Sequence, residues 1–395
     1  KESANDNASG SAALLDIAMT IHRLIEQGRL DRPRRTLRFL WVPEWKGTMA
    51  YIDKHPEMMG PELGGKVLVN FNMDMVGENL ELLHSHLVLT RTPESLPSVA
   101  NDVIADMARM VDGMDIRTPR GSLSDFNYRI TPYSGGSDHM MFIDRKVPGI
   151  MFNHTDYTHH TSEDTPDKVD PVEIERCEII AAGAALYLSN LSPRQARDLT
   201  LMAAANAHQR LALDGRSVIR RVGSADDPAK AWAEANNRLE HSLMREAGTL
   251  QSVLNFTAGT TVAEEVQLSV AGLQTHYREL TATLARAAQR RGVERATPPP
   301  LTESPDVRIP VRLTRGPLDF DLPASQLPPG DAAWYDSSEF PLDGAARFEL
   351  VNFIDGERTV TAIRNALSAE FGPVDQIIVT RYLNDLVRAE VLKWK

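Results

Sequence analysis

The sequence has 395 residues and a single cysteine, Cys177, so it can form neither an intrachain disulfide nor a metal site built from thiolates. It contains no apolar run as long as a membrane span requires. Basic residues number 43 against 54 acidic ones, and the net charge of −11 argues against nonspecific nucleic-acid binding, which needs a positive face. The length of 395 residues indicates two or three domains, and the 42% of hydrophobic residues indicates a globular protein.

An initiating methionine is also missing, because the first residue is Lys1. We therefore expect a fragment or a processed form whose first domain is incomplete at its N-terminus. Targeting information would be lost with such a segment. The localisation is left open, with a secreted or periplasmic one favoured.

Residues 1–190 alternate between helical and strand patterns, which predicts an α/β domain with a mostly parallel sheet flanked by helices. The predicted strands are Thr36–Val42, Lys66–Asp74 and Val147–Phe152. The predicted helices are a run that begins near Ala12, Ser98–Val111 and Pro171–Leu188.

The rest of the chain changes in composition. Residues 193–292 have long amphipathic helical patterns and predict a helical bundle, which is where we expect any self-association. Residues 293–338 are rich in proline and predict a linker. Residues 339–395 predict a small domain with helices at Val360–Phe371 and Val374–Ala389.

Four residues of the first domain have the chemistry of a metal site. Asp6 precedes the first helix, Glu44 and Asp74 end predicted strands, and His160 lies in a loop. Ligands of parallel sheets collect at the C-terminal ends of strands, and carboxylates with imidazole suit catalytic zinc. Asp6 and Glu44 are also residues that cap helices, whereas a carboxylate such as Asp74 at the end of an apolar strand is costly to bury without a cation.

These residues occur in five motifs whose order resembles the co-catalytic zinc exopeptidases, a family with bacterial leucyl aminopeptidases, glutamate carboxypeptidase and glutaminyl cyclases. The motifs are Asn-Asp-Asn-Ala-Ser-Gly from Asn5, Pro43-Glu44, Asn-Met-Asp-Met-Val-Gly from Asn72, Ser137-Asp138-His139, and His-Thr-x-x-Asp-Thr from His160. The resemblance implies a three-layer sandwich with one or two zinc ions.

The resemblance also implies roles for single residues. Asp6 would bridge two metals, Asp74 would bind one of them, and His160 would bind the other. Ser137, Asp138 and His139 would lie beside the substrate pocket.

The other histidines are given lesser roles. The Thr-x-x-Asp spacing selects His160 over His159, and His154 and His159 are expected to be solvated loop or pocket residues. His84 and His86 belong to an alternating strand pattern and are expected at the surface or in the core.

Two features depart from the family pattern. The family has a His-x-Asp element on a strand upstream of the bridging Asp, and only five residues precede Asp6 here. The family also has two consecutive Glu residues where this chain has Glu44 followed by Trp45. Glu44 can therefore take the place of the general base or of the metal ligand, and we favour the base.

The motifs lead to one main hypothesis, a zinc-dependent exopeptidase, and within that class an aminopeptidase whose substrates are peptides with a free amino terminus. A metal-bound hydroxide would attack the scissile carbonyl with Glu44 as general base. The alternatives are a single-zinc acyltransferase of the glutaminyl cyclase type and a catalytically silent peptide-binding module. A DNA-binding regulator is disfavoured by charge, and no membrane partner is expected.

The segment from Leu350 to Val391 resembles a winged helix, in particular those that accompany peptide-modifying enzymes. Acidic residues outnumber basic ones after Glu339, which is unsuited to reading DNA. We expect either a peptide- or protein-contacting role or plain structural packing.

Overall fold

A computed structural model describes residues 3–116, 126–154, 157–257, 259–314 and 322–395. The chain divides into two compact units. Unit 1 comprises Lys1–Ala196 and Ser252–Val262, and unit 2 comprises Arg197–Gln251 and Ala263–Lys395.

Unit 1 combines helices with short strands. After an irregular helical turn at Ala4–Ser9, its elements in chain order are α1 (Gly10–Glu26), α2 (Lys46–Lys54), β1 (Asn70–Met73), α3 (Leu80–Leu83), β2 (Leu87–Thr90), α4 (Ala100–Asp112), β3 (Tyr128–Thr131), α5 (His139–Asp144), β4 (Gly149–His154) and α6 (Pro171–Ser189). Single 3₁₀ turns lie at Pro56–Met58, Pro61–Leu63 and Pro166–Lys168.

The four strands form one sheet in the order β1-β4-β2-β3. β1 runs parallel to β4 with Met73 opposite Phe152, and β2 runs parallel to β3. β2 and β4 are antiparallel, with Leu89 opposite Phe152. Since two of the three pairings are parallel and helices flank the sheet, the predicted α/β class is confirmed, with one antiparallel pairing that makes the sheet mixed.

Helix α1 packs closely against the sheet and against α6. Ala13 and Ile17 are buried on its inner face. At its start, a Cβ atom on Gly10 would lie 2.2 Å from the carbonyl oxygen of Met73 in β1, so only glycine permits this approach. The glycine of the first motif therefore sets how closely Asp6 approaches the end of β1.

The strand predicted over Thr36–Val42 is wrong. Residues 36–42 all belong to the described part of the chain, yet they form no strand. A strand needs a partner for its backbone groups, and no described strand pairs with this segment. Residues 36–40 instead line a cavity of about 580 Å³ together with Lys66–Phe71.

The two other predicted strands exist with shifted bounds, since Lys66–Asp74 shortens to β1 and Val147–Phe152 shifts to β4. Strands β2 and β3 were not predicted, because four residues are too few for a clear alternation. The alternating pattern around His84 did not mark a strand either: His84 ends α3 in a left-handed conformation with φ 50°, exposed to solvent, and His86 is half-buried just before β2.

The predicted helices of unit 1 are confirmed within a few residues as α1, α4 and α6.

The remaining elements in chain order are α7 (Pro193–Ser224), α8 (Pro228–Gln251), α9 (Val253–Phe256), α10 (Thr260–Arg290), β5 (Pro310–Arg312), α11 (Pro329–Ala332), α12 (Gly344–Asn352), α13 (Val360–Phe371), α14 (Gln376–Arg388) and β6 (Leu392–Trp394), with a 3₁₀ turn at Ala324–Gln326. No described helix is long and apolar enough to cross a membrane.

In unit 2, the long helices are joined by ion pairs. Arg210 of α7 lies 2.6 Å from the buried Glu246 of α8, and Arg364 of α13 lies 2.5 Å from the buried Glu234 of α8. Such pairs keep the charges of buried residues compensated.

The C-terminal part of unit 2 has its own apolar core, built from α12, α13, α14 and the strand β6. β6 pairs antiparallel with β5, which comes from the predicted linker. Residues 315–321 of that linker lie outside the described residues. The winged-helix resemblance of this region stays a prediction, as do the predicted domain boundaries.

Candidate active site

Asp6 lies in the turn that precedes α1, and a second carboxylate holds this turn. Asp164 accepts the backbone N–H of Asn5 through Oδ1 at 2.7 Å and that of Asp6 through Oδ2 at 3.1 Å. Asp164 is the Asp of the His-Thr-x-x-Asp-Thr motif and is buried. The two motifs at opposite ends of unit 1 thus meet through one charge-assisted pair of hydrogen bonds, which orders the backbone of Asp6.

The amide of Asn7 connects the same turn to the end of β1. Its Oδ1 accepts the N–H of Met75 at 3.1 Å and that of Gly10 at 3.0 Å, and its Nδ2 donates to the carbonyl of Met73 at 3.0 Å. Asp74 lies between the two methionines, so Asn7 holds its backbone on both sides.

Asn5 and Ser9 form hydrogen bonds with the three residues that follow Met75 in the chain. The buried Asn5 accepts the N–H of Gly77 through Oδ1 at 2.9 Å and donates from Nδ2 to Glu78 at 2.6 Å. The hydroxyl of Ser9 accepts the N–H of Val76 at 3.0 Å. The polar residues of the first motif therefore pair with the backbone of the third motif, which brings Asp6 and Asp74 together.

Asp74 is half-buried at the end of β1, and its N–H donates to the carbonyl of Phe152 in β4 at 3.0 Å. Burial raises the pKa of its carboxyl, and the negative charges of Asp6 and Asp138 raise it further. The hydroxyl of Ser137 and the imidazole of His159 oppose this rise. The charged neighbours with the largest effect on the pKa of Asp74 are thus two carboxylates and one imidazole.

Glu44 reaches the same place from the turn before α2. It is an exposed residue, but neighbouring atoms remove part of its hydration, which raises the pKa of its carboxyl, and the charges of Asp74 and Asp138 add to the rise. The Ser137 hydroxyl opposes this rise, as it does at Asp74. This serine, which we expected beside the substrate pocket, therefore lies near both carboxyls, and its single proton can bond to only one of them at a time.

Asp138 contacts the turn that carries Glu44. Its Oδ1 accepts the backbone N–H of Trp45 at 2.7 Å, where Trp45 has a strained φ of 59°. Burial raises the pKa of the Asp138 carboxyl even though this hydrogen bond from Trp45 opposes the rise. Asp138 therefore orders the turn that carries Glu44.

His139, which we expected beside the substrate pocket, has no exposed surface. Its Nε2 lies 2.8 Å from the carbonyl oxygen of Ser134, and burial lowers its pKa to about 4. The expectation is corrected: His139 is a neutral core residue at the start of α5 that packs closely against Gly149 of β4, so it cannot contact a substrate itself.

His160 lies next to Asp6, with Nε2 3.5 Å from Oδ2 of the carboxylate. His159 is also here, and the two imidazole rings are 3.7 Å apart. Asp6, His159 and His160 offer ligand atoms that all lie within 4.8 Å of one another. The structure brings both histidines to the site, and the preference for His160 stays a prediction.

His154 is the second histidine whose expected position is corrected. We expected a solvated residue, but its side chain is fully buried at the end of β4. It contacts the carbonyl of Met75 and the carboxylate of Glu173, so it lies beneath the site rather than in it.

Sequence reasoning missed the residues that hold the site, namely Asn5, Asn7, Ser9, Glu78, His154, Asp164 and Glu173. Five of these belong to or directly follow the quoted motifs, and the density of amides and carboxylates there was a usable signal. His154 and Glu173 carried no such signal, since burial alone reveals their role.

The donor set at the site fits zinc. A carboxylate and two imidazoles are ligands that zinc takes in catalytic sites. Burial, and after it the charges of neighbouring carboxylates, raise the pKa values of Asp74 and Glu44, and a divalent cation would compensate those charges.

Comparison with known proteins agrees with this geometry. Residues 1–185 match the model of peptidase family M28. The resemblance to co-catalytic zinc exopeptidases that the motifs indicated is thereby confirmed for this part of the chain.

Two solved structures are similar to part of the chain. The zinc aminopeptidase BSAP from Bacillus subtilis is 22% identical over 47% of this chain and 41% of its own, with a TM-score of 0.36. An aminopeptidase from Aneurinibacillus sp. strain AM-1 is 20% identical over 47% of this chain and 40% of its own, with a TM-score of 0.32. The chain thus spans about two fifths of these proteins. No curated protein matches it.

Proposed function

We propose that the site of unit 1 is that of a zinc-dependent exopeptidase, and specifically of an aminopeptidase. The observation that carries the proposal is the convergence of Asp6, Asp74, His160 and Glu44, which come from four separate segments, on one partly open place. The M28 match over residues 1–185 supports the peptidase class.

Asp6, Asp74 and His160 would hold the metal, with His159 at hand. Zinc bound there would supply a Lewis acid that polarises the scissile carbonyl and lowers the pKa of water. We propose one or two ions.

Glu44 is assigned as the general base, the role favoured by the sequence. It accepts a proton from the attacking water and returns it to the departing amine. Partial burial and the charges of Asp74 and Asp138 raise the pKa of its carboxyl. A raised pKa brings the carboxyl closer to the working pH, which suits a group that must both accept and donate a proton.

The preference for a free amino terminus follows from charge. Glu44, Asp74 and Asp138 give the site an excess of carboxylates, and an ammonium group is the part of a peptide that this excess attracts. A blocked amino terminus lacks that charge, so cleavage would proceed from the end of the chain.

The proposal is tested with aminoacyl amides and with the same compounds acetylated at nitrogen. We expect hydrolysis of the free form only, its loss after treatment with a chelator, and its return with added zinc. Activity that survives chelation would refute the metal mechanism, and equal cleavage of the acetylated form would refute the aminopeptidase assignment.

A single Glu before Trp45, where the family has two, keeps the cyclase-type alternative testable. The same preparation is therefore assayed with peptides that begin with glutamine, and its zinc is counted by elemental analysis. Cyclisation with about one zinc per chain and no hydrolysis would favour the cyclase. Zinc binding without either reaction would favour a silent peptide-binding module.

A further inference from the structure

A buried polar network lies beneath the candidate site and is not part of the proposed chemistry. It consists of His154 at the end of β4 and of Glu173 and Arg176 in the first turns of α6. All three side chains are almost completely removed from solvent, with exposures of 0%, 1% and 3% for the residues. Polar groups buried this deeply are costly unless they are fully bonded, so their arrangement is well determined.

The network ends on the carbonyl oxygen of Met75, the residue after Asp74. Nδ1 of His154 lies 2.8 Å from this oxygen, and the backbone N–H of His154 donates to the same oxygen at 2.8 Å. A carbonyl oxygen can only accept, so Nδ1 must carry a proton.

The other ring nitrogen fixes the orientation of the imidazole. Nε2 of His154 lies 3.1 Å from Oε1 of Glu173, and Oε2 of Glu173 accepts from Arg176 at 3.1 Å. The ring cannot rotate without breaking a bond at one of its two nitrogens. Glu173 therefore keeps the imidazole of His154 in the orientation in which Nδ1 contacts the carbonyl oxygen of Met75.

Met75 needs such support because its backbone is in the left-handed region, with φ 66°. Residues other than glycine adopt this conformation only when their surroundings impose it. The turn at Met75 determines the direction in which the Asp74 carboxylate leaves the end of β1. Asn7 holds the N–H of Met75, and His154 holds its carbonyl.

We propose that His154, oriented by Glu173 and Arg176, is a positioning residue that sets the Asp74 carboxylate for zinc binding through the carbonyl of Met75. This inference rests on the proposed role of Asp74 as a metal ligand. Partners that orient the groups around a metal change its affinity by about 10- to 100-fold when they are removed.

The test measures zinc affinity by competition with a chromogenic chelator, so that it does not depend on peptidase activity. His154→Phe keeps a flat ring and the backbone N–H but loses the Nδ1–H donor. We expect its zinc affinity to fall by about 10- to 100-fold. As a control, Ile180→Val removes one methyl group from a fully buried residue of α6 and should leave zinc affinity unchanged.

Two amide variants separate positioning from general stability. The amide nitrogen of asparagine falls near the place of Nδ1, and that of glutamine falls near the place of Nε2. His154→Asn can therefore still donate to Met75, whereas His154→Gln reaches only toward Glu173. We expect His154→Asn to keep an affinity within about threefold of the wild type and His154→Gln to lose it like His154→Phe.

A double-mutant cycle with Asp74→Asn completes the test. Once the carboxylate is gone, His154→Gln should cause no further loss of zinc affinity. Equal affinities of the His154→Asn and His154→Gln variants, or an Asp74→Asn variant that binds zinc as tightly as the wild type, would overturn the inference. A protein that binds zinc through Asp74 but hydrolyses nothing would refute the proposed function and leave this inference standing.

Discussion

At the scale of single residues, the candidate site is a place where negative charge is concentrated by hydrogen bonds. Ser137 lies near both Glu44 and Asp74, and Asp138 orders the turn that carries Glu44. After burial, the groups that raise the pKa of these two carboxyls are other carboxylates of the site. Substitution of Glu44 alone can separate its role from that of the metal ligands.

For Glu44→Gln, we expect full metal content and a rate lowered by about 10²–10⁴-fold, because the amide cannot accept the proton of water. Metal content by elemental analysis and hydrolysis of an aminoacyl amide are measured on the same sample. Partial rescue by added zinc would instead identify Glu44 as a ligand. A wild-type rate with a stability loss of about 1 kcal/mol would identify it as a helix cap.

His159 and His160 are compared by single alanine substitutions. We expect His160→Ala to lose most of its zinc affinity and His159→Ala to lose far less, since His160 lies 3.5 Å from Asp6 and carries the motif. The fold should persist in both, as judged by circular dichroism, because both residues are exposed. Equal losses of zinc in the two variants would contradict the choice between them.

His139 predicts how stability depends on pH. Burial lowers its pKa from 6.5 to about 4, so between these values the unfolded chain binds a proton that the folded chain does not. The stability that depends on this neutral imidazole is therefore fully present above pH 6.5, and it is lost as the pH falls toward 4. At about 1.36 kcal/mol per pH unit, this single group lowers the free energy of unfolding by about 3 kcal/mol over the window.

The measurement is urea unfolding at a pH near 7 and at one between 4 and 5 for the wild type and for His139→Gln. The variant should lose much less stability between the two pH values, because its side chain does not titrate. If His139→Gln loses as much stability as the wild type between the two pH values, groups other than His139 cause the loss.

At the scale of elements, the close approach of α1 and β1 connects the first motif to the third. A Cβ atom on Gly10 would lie 2.2 Å from the Met73 carbonyl oxygen, so Gly10→Ala must displace the start of α1. We expect a loss of stability of about 1–3 kcal/mol, as for other overpacked sites, together with weaker zinc binding. Thermal unfolding and zinc competition measure the two effects.

Gly223→Ala provides the matched control. Gly223 lies near the end of α7 with nothing within 4 Å of the position of a Cβ atom. Alanine has the higher helix propensity, so this substitution should be neutral or slightly stabilising, with unchanged zinc affinity. If both alanine variants behave alike, close packing at Gly10 is not what couples α1 to the site.

At the scale of the whole molecule, the cores of both units consist mainly of buried apolar side chains, and the candidate metal ligands Asp6, His159 and His160 are not among them. We therefore expect chelation to abolish hydrolysis while the far-ultraviolet circular dichroism stays unchanged, unlike a zinc finger, which unfolds without its metal. Zinc should raise the unfolding temperature of the chelated protein in a concentration-dependent manner. Loss of helical signal on chelation would instead assign zinc a structural role.

The sequence by itself determined the α/β class, the helices α4 and α6, and most of the residues that the structure brings together at the candidate site. These features are local: helical periodicity is visible in a single segment, and each motif places its carboxylate or imidazole beside recognisable neighbours. The order of the motifs was enough to indicate the family resemblance that residues 1–185 confirm.

Only the tertiary structure decided how these pieces are held. The hydrogen bonds from Asn5 and Asp6 to Asp164 join residues that are 159 and 158 positions apart. The burial of His139 and His154 and the missing strand at residues 36–42 likewise depend on what packs beside each segment. Backbone pairing and burial are properties of neighbours in space, so no local pattern of residues could specify them.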